Sequence, residues 1–228
     1  MSVLPGLPDV EITFRRSARA RRFSLRVSQL DGRVTLTLPP RTREAEALAF
    51  LRDQESWLRR TLERMPSGNT VEIGASVLVE GKALTLQPGT GRSIRIAADS
   101  LLVPGHPDQA ARRVLAYLKV RARDRLAAAS DHYAGLIGRP YTSLALRDTR
   151  SRWGSCTTDG RLMYSWRLIM APPQVLDYVA AHEVAHLAEM NHSDAFWDVV
   201  QTLYPRYQTP RRWLKSQGQA LHSYHFQA

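Results

Sequence analysis

Two histidines four residues apart, His182 and His186, with Glu183 directly after the first, restrict the fold of this chain more than any other feature. On an α-helix, side chains at positions i and i+4 lie one above the other, so both imidazoles can reach one ion. The residues around the three polar groups are apolar: Val179, Ala180, Val184, Ala185 and Leu187. Because buried His and Glu side chains without partners are costly, the pattern predicts a helix within the core that carries a metal site.

His192 is the expected third ligand. A hydrolytic zinc site takes three protein ligands and leaves the fourth position for water. His192 follows His186 by six residues, and Asn191 tolerates the left-handed backbone that would return His192 to the metal. Metzincin proteases share this spacing but have Gly where this chain has Glu189, so that likeness ends at the spacing.

Glu183 is the expected general base. Its position about a third of a turn from His182 keeps the carboxylate out of the ligand set but close to a metal-bound water. There it can accept a proton and pass it to a leaving amine. The pattern therefore predicts one Zn²⁺ ion held by His182, His186 and His192, with Glu183 as the catalytic residue.

The amino-terminal portion is predicted to be rich in β-structure, with one helix. Alternation over Phe23–Val27 and Val34–Leu38, across Asp31 and Gly32, indicates a hairpin. A helix capped by Thr42 follows and ends before Pro66, since leucines recur there at helical spacing. Short strands are predicted at residues 77–79, 84–86, 94–96 and 101–103. We expect a seam near Gly105, and the pattern shows no internal repeat.

The carboxy-terminal portion is predicted to be mixed. The expected elements are a long helix over Pro107–Tyr133, an antiparallel pair over 144–153 and 162–168, a helix opened by Pro172 and Pro173, and a helix over Asp194–Tyr204 capped by Ser193. We therefore predict an α+β fold in which residues 1–105 form the β-rich portion and residues 106–228 form the metal-binding catalytic portion.

Composition limits the partners. One cysteine, Cys156, excludes a disulfide framework, so a metal must be held by His or carboxylate. The net charge of +11 comes mainly from arginines spread along the chain. They indicate either solvated surface or weak contact with nucleic acid. With no long apolar segment and no signal-like start, we expect a soluble, cytoplasmic protein without membrane contact.

Three motifs together resemble the YgjP-like metallopeptidase family, which is related to the SprT-like and M48 peptidases. They are Asp148–Cys156, His182–His186, and Asn191–His192–Ser193 followed by Phe196–Trp197. The likeness extends over most of the chain, so it implies one continuous family domain. It also implies a metal-dependent hydrolase with a zincin-like core. The family residues match at His182, Glu183, His186 and His192.

The resemblance also suggests where substrate binds. In zincin-like peptidases the strand before the metal helix runs along the cleft, which makes Trp153, Gly154 and Ser155 candidates for substrate binding. The alternative is that Trp153 is a core aromatic residue and Gly154 marks a bulge. Four further side chains are candidates for oxyanion stabilisation: Arg152, Tyr164, Tyr204 and Tyr207. Cys156 is expected to be small and buried, and His222 and His225 to be exposed.

Three functions remain open at this point. The first is a peptidase acting on peptide or protein, and the second is a hydrolase of a non-peptide amide, which would need a closed pocket. The third is a nucleic-acid-associated module with structural zinc, although a structural site normally takes four protein ligands. A protease acting on DNA-bound proteins would combine the first and the third.

Overall fold

The computed structural model describes residues 2–4, 7–28, 32–63 and 68–226, with side chains from residue 10 onward. They form a mixed α+β protein whose contacts divide it into two compact units, Met1–Gly68 and Asn69–Ala228. This division differs from the expected seam near Gly105. The strands within residues 76–104 bury their side chains in the same apolar core as the helix that carries His182.

The first unit contains a four-stranded sheet. Its strands are β1 Ser2–Leu4, β2 Leu7–Arg16, β3 Ser24–Val27 and β4 Val34–Leu38. They lie in the order β1-β2-β4-β3, with a parallel central pair and antiparallel outer pairs. The predicted hairpin is thus confirmed as β3 and β4, while Asp31 of its turn lies outside the described residues. Alternate residues of β4, namely Val34, Leu36 and Leu38, are buried against Leu51 and Leu58 of the following helices.

The predicted single helix of this unit is two helices, α1 Glu44–Asp53 and α2 Glu55–Glu63, which meet at Gln54. Thr42 is not the cap, because Arg43 occupies that position and makes no side-chain capping bond. The carbonyl of Thr42 instead accepts a hydrogen bond from the Arg16 guanidinium at 2.9 Å. The predicted end at Pro66 lies outside the described residues.

The second unit begins with another four-stranded sheet. After the short strand β5 Asn69–Thr70 come β6 Ser76–Val79, β7 Lys82–Gly89, β8 Arg95–Ala97 and β9 Ser100–Pro104. The order is β6-β7-β9-β8, again with a parallel central pair between antiparallel outer pairs. This sheet repeats the topology of the first, and a helix follows in both cases. The sequence pattern alone does not reveal this repeat.

A long helix and a small sheet lead to the predicted metal helix. Helix α3 covers Ala110–Ile137, and the strands are β10 Ser143–Arg147, β11 Gly154–Cys156 and β12 Arg161–Ser165. Only β11 pairs antiparallel with β12, whereas β10 pairs parallel with it, so the predicted antiparallel pair is wrong for residues 144–147. The chain leaves the sheet at Asp148, directly after β10. The guanidinium of Arg167 donates hydrogen bonds to both oxygens of the Asp148 carboxylate, at 2.7 and 3.2 Å. The predicted strand end at 166–168 is part of a 3-10 helix, Trp166–Met170.

Three helices complete the second unit: α4 Pro173–Ala185, α5 Asp194–Leu203 and α6 Gln208–Gln217. Helix α4 is apolar on most sides, with Ala180, Ala181 and Val184 fully buried. Ser193 caps α5, as predicted, by accepting a hydrogen bond from Phe196 N at 3.4 Å. A 3-10 turn, Gly218–His222, and the strand β13 Tyr224–His225 follow, and β13 pairs with β5. Among the described residues, no helix is both long and apolar enough to cross a membrane.

Candidate metal centre

Three histidines converge at the carboxyl end of α4. His182 lies in the last turn of the helix, His186 is its C-cap residue, and His192 stands just before α5. One nitrogen from each ring can be chosen such that all three lie within 4.8 Å of one another. The loop between α4 and α5 is short enough to return the chain to the same end of the helix. The structure thus brings together the three predicted ligands.

One of the nitrogen separations is close to the value expected around a metal ion. The Nε2 atoms of His182 and His192 face each other at 3.1 Å. Two nitrogens at the 2.0–2.1 Å typical of Zn–N bonds and at a tetrahedral angle lie about 3.4 Å apart. His186 Nδ1 lies 3.0 Å from the carbonyl oxygen of Glu189. A proton on Nδ1 would be donated there, leaving Nε2 for the ion, which is the usual arrangement around metal-bound histidines.

The histidines are suited to bind a metal in their neutral form. Burial lowers the pKa of His182 to about 3, and the neighbouring His186 and His192 add to this effect. Burial also lowers the pKa of His186, against the opposing effect of its hydrogen bond to Glu189. Metal ligation requires the deprotonated ring. At neutral pH neither of these two residues has to release a proton first.

Glu183 lies beside the histidines on α4 and is only 6 % exposed. Burial raises the pKa of Glu183 to about 8, with Arg152 acting in the opposite direction. Its carboxylate rests directly against the backbone of β11 at Gly154. A buried carboxyl group with a pKa near neutrality is the type of group that general acid–base chemistry uses.

An open cleft of about 500 Å³ lies over these residues. One wall is formed by residues 151–152 and 154–156, and the other by the three histidines and Glu183. Met190, whose side chain is 41 % exposed, stands at the rim. Strand β11 is an edge strand of its sheet, so one side of its backbone faces away from β12.

The comparisons with known proteins identify the family of this chain. The model of the YgjP-like metallopeptidase domain matches residues 21–217. The chain belongs to the YgjP-like metallopeptidase family. The resemblance predicted from the motifs is thereby confirmed. No curated protein matches this chain.

One solved structure is similar to this YgjP-like chain over part of its length: the crystal structure of the metallopeptidase zymogen abylysin from Pyrococcus abyssi. The two share 20 % sequence identity, over 40 % of this chain and 95 % of abylysin, with a TM-score of 0.37. A likeness at this level does not establish a common fold. The family assignment therefore rests on the domain match.

The candidate substrate residues of this YgjP-like protein lie in two different environments. Gly154 and Ser155 line the cleft. Trp153 does not line it, because its ring packs at Gly218 and lies 5.1 Å from the ring of His222. Trp153 therefore anchors the start of β11 rather than facing the cleft.

The four oxyanion candidates are also separated. Arg152 lines the cleft. Tyr164 is fully buried, and its hydroxyl lies 3.0 Å from Ser130 Oγ within the core. The hydroxyl of Tyr204 donates to the carbonyl of Gln174 at 3.3 Å, and the ring of Tyr207 stacks on Trp197 at 5.4 Å. Of the four, only Arg152 is among the cleft-lining residues.

Sequence reasoning missed one group of residues beside the ligands. Tyr178 lies one helical turn before His182, with their rings 5.8 Å apart, and its ring stacks on Tyr207 at 6.4 Å. The guanidinium of Arg211 lies 4.3 Å from the ring centre of Trp197. The i−4 spacing from His182 could have identified Tyr178, but nothing in the local sequence brings α6 to this place.

The remaining histidines and Cys156 do not join the centre. His222 was expected to be exposed, but this expectation is wrong: it is 7 % exposed because it packs against Trp153. His225 is half-buried in β13. Cys156 is half-buried at the cleft, and burial, together with Glu183, raises the pKa of its thiol to about 11. Among the described residues, His182, His186 and His192 are the one group with metal-binding spacing.

Proposed function

We propose that the protein is a zinc-dependent metallopeptidase in which His182, His186 and His192 hold one Zn²⁺ ion and Glu183 is the general base. The main support for this proposal is that three imidazole nitrogens lie within 4.8 Å of one another beside a buried glutamate. The chain also belongs to a metallopeptidase family. When bound, zinc would acidify water and polarise the carbonyl of the substrate.

The donor set favours zinc in a catalytic role. Imidazole nitrogens suit zinc, and three neutral ligands leave the charge of the ion to act on its surroundings. Within the described part of the chain, the ligand group contains three side chains rather than four. Three protein ligands would leave a fourth position for water, which favours a catalytic site over a structural one and counts against a nucleic-acid module with structural zinc.

We assign to Glu183 the transfer of a proton from the attacking water to the leaving amine. Its carboxylate would take the proton of the attacking water and then deliver it to the amine of the departing peptide. Burial raises the pKa of Glu183 to about 8, so this carboxylate takes up a proton more readily than an exposed glutamate does. Arg152, which lowers the pKa of Glu183 and lines the same cleft, is the candidate for stabilising the developing oxyanion.

The form of the cleft favours an extended peptide substrate. The cleft is open to solvent, and the edge strand β11 runs along it. A peptide can add to such an edge through main-chain hydrogen bonds, with Ser155 at the contact. A small non-peptide amide would be expected to bind in a more enclosed pocket.

The decisive experiment compares the wild-type protein with Glu183→Gln on unfolded casein. The wild type should bind about one equivalent of zinc and show cleavage that a chelator abolishes. Glu183→Gln should keep the zinc but lose a factor of roughly a hundred to ten thousand in rate, because an amide cannot accept the proton. Equal cleavage by both proteins, each loaded with zinc, would show that Glu183 is not the base.

Nucleic acid is a second candidate partner, favoured by one segment of the first unit. Residues 12–30, which we name the arginine segment, contain six arginines and no acidic residue. Arg16 binds the carbonyls of Pro40 and Thr42, and the other five are exposed. Arginines of this kind can neutralise phosphates without reading sequence.

A further inference from the structure

Gly154 leaves open the space that the Glu183 carboxylate occupies. A Cβ atom added to Gly154 would lie 2.5 Å from Glu183 Oε1, 2.6 Å from its Cγ and 2.8 Å from its Cδ. Non-bonded carbon atoms normally approach to about 3.5–4.0 Å. Gly154 is not among the glycines with positive φ, so its backbone conformation does not require glycine. The requirement at this position is space.

The elements on both sides of this contact are fixed. Ser165 N donates to the carbonyl of Trp153 at 2.8 Å, which pairs the start of β11 with the end of β12. The ring of Trp153 is itself held close to Gly218, where an added Cβ would lie 3.0 Å from it. On the other side, α4 is embedded in the core through Ala180 and Val184, both fully buried. A side chain at residue 154 would therefore displace the end of Glu183 rather than the strand or the helix.

We propose that Gly154 is a positioning residue, which acts through Glu183 by letting the carboxylate lie against β11 next to the three histidines. This inference rests on the proposed role of Glu183 as the base. It differs from the expectation that Gly154 binds substrate. A methyl group at residue 154 moves the carboxylate by about 1 Å, and a displacement of that size can reduce a catalysed rate by about a hundredfold.

The packing is tested first by thermal unfolding, without any substrate. Gly154→Ala should lower the Tm by roughly 3 °C or more, because the new methyl group meets the Glu183 side chain. In the Glu183→Ala background that side chain is absent, so adding Gly154→Ala should change the Tm by less than about 1 °C. Gly135→Ala is the matched control, since nothing lies within 4 Å of its added Cβ, and its effect should be the same in both backgrounds.

The comparison of Gly154→Ala in the wild-type and Glu183→Ala backgrounds remains decisive if Gly154→Ala alone does not fold. Recovery of a folded protein in the double variant Gly154→Ala/Glu183→Ala would then support the contact. An equal loss of stability in both backgrounds would overturn the proposal, because Gly154 would then be needed for something other than Glu183.

The catalytic consequence is tested on casein. Gly154→Ala should keep its zinc and lose roughly 10- to 100-fold in kcat, with KM within about twofold of the wild type, because the substrate contact is unchanged. Affinity for fluorescein-labelled casein, measured by anisotropy in the inactive Glu183→Gln background, should not change when Gly154→Ala is added. An unchanged kcat, or a weaker affinity in that background, would overturn the proposal.

The two proposals fail in different ways. If the wild type shows no chelator-sensitive cleavage, the proposed function fails, while the Tm cycle still decides whether Gly154 accommodates Glu183. If the wild type cleaves but the Tm effect of Gly154→Ala does not depend on Glu183, the peptidase proposal stands and the positioning role is wrong.

Discussion

The two four-stranded sheets have the same topology but different surroundings. In the first unit, β1–β4 are followed by two short helices, and the buried residues of both form one small cluster. In the second, β6–β9 are followed by the 28-residue helix α3, which has buried residues from Ala110 to Ala134 and packs against α4. The second sheet therefore belongs to the core that supports the metal helix, whereas the first has a core of its own.

The same strand arrangement therefore occurs with and without a candidate site beside it. The long helix after β9, which buries one face from Ala110 to Ala134, joins the second sheet to the elements that hold His182 and Glu183. The first sheet ends in helices of ten and nine residues, and it carries the arginine segment instead. The same topology therefore helps to support the candidate metal centre in one unit and carries exposed arginines in the other.

The largest expected difference between the sheets is in the stability of the metal centre. Leu36 in β4 and Leu101 in β9 are both fully buried, one in each core. Each change to alanine should cost about 2–5 kcal/mol in the unfolding of its own unit. If the protein binds zinc as proposed, zinc release during urea unfolding should shift to lower urea only for Leu101→Ala. An equal shift for Leu36→Ala would show that the two cores unfold as one.

A smaller effect should appear with pH, again confined to the second unit. Burial lowers the pKa of His222 to about 4, helped by the charge of Arg167, whereas an unfolded histidine titrates near 6.5. Because the unfolded state binds the proton more readily, the stability from neutral His222 is complete above about pH 6.5 and is lost as the pH falls towards 4. The first unit contains no histidine, so this mechanism is absent there.

The test is His222→Phe, which keeps an aromatic ring against Trp153 but does not titrate. Between pH 7 and pH 5, the metal-free wild type should lose about 1–2 kcal/mol more in free energy of unfolding than the variant does. Urea unfolding at the two pH values measures this difference. Parallel losses in both proteins would mean that His222 is protonated as easily in the folded state as in the unfolded one.

The smallest effect concerns the arginine segment. If it binds nucleic acid, changing Arg19, Arg21 and Arg22 to alanine should weaken binding of a DNA oligonucleotide. The slope of log K against log salt should also fall, by up to about one unit per arginine. The control changes Arg92, Arg112 and Lys119 of the second unit to alanine and removes the same charge. Equal effects of both triple variants would show that net charge, rather than this segment, is responsible.

Much of the site could be predicted from the sequence, because its parts are close along the chain. The i, i+4 spacing of His182 and His186 needs only a helix to place both rings on one face, and Ser193 needs only its neighbours to cap α5. The β3–β4 hairpin follows from alternation in the same way. The element boundaries could not be predicted as well. The sequence pattern predicted one helix where the structure has α1 and α2, and it gave no sign of the parallel pairing of β10.

The residues themselves determined the metal-binding spacing, the adjacent glutamate and the apolar surroundings of the metal helix, because each depends on contacts within a few positions. Only the tertiary structure decided which distant residues meet there. In the folded protein Gly154 lies against Glu183, and His222 is buried against Trp153. Tyr164 lies beside Ser130 in the core, and the same sheet topology occurs in both units. The physical reason is that these contacts depend on strand pairing and helix packing between segments far apart in the chain, which no local periodicity encodes.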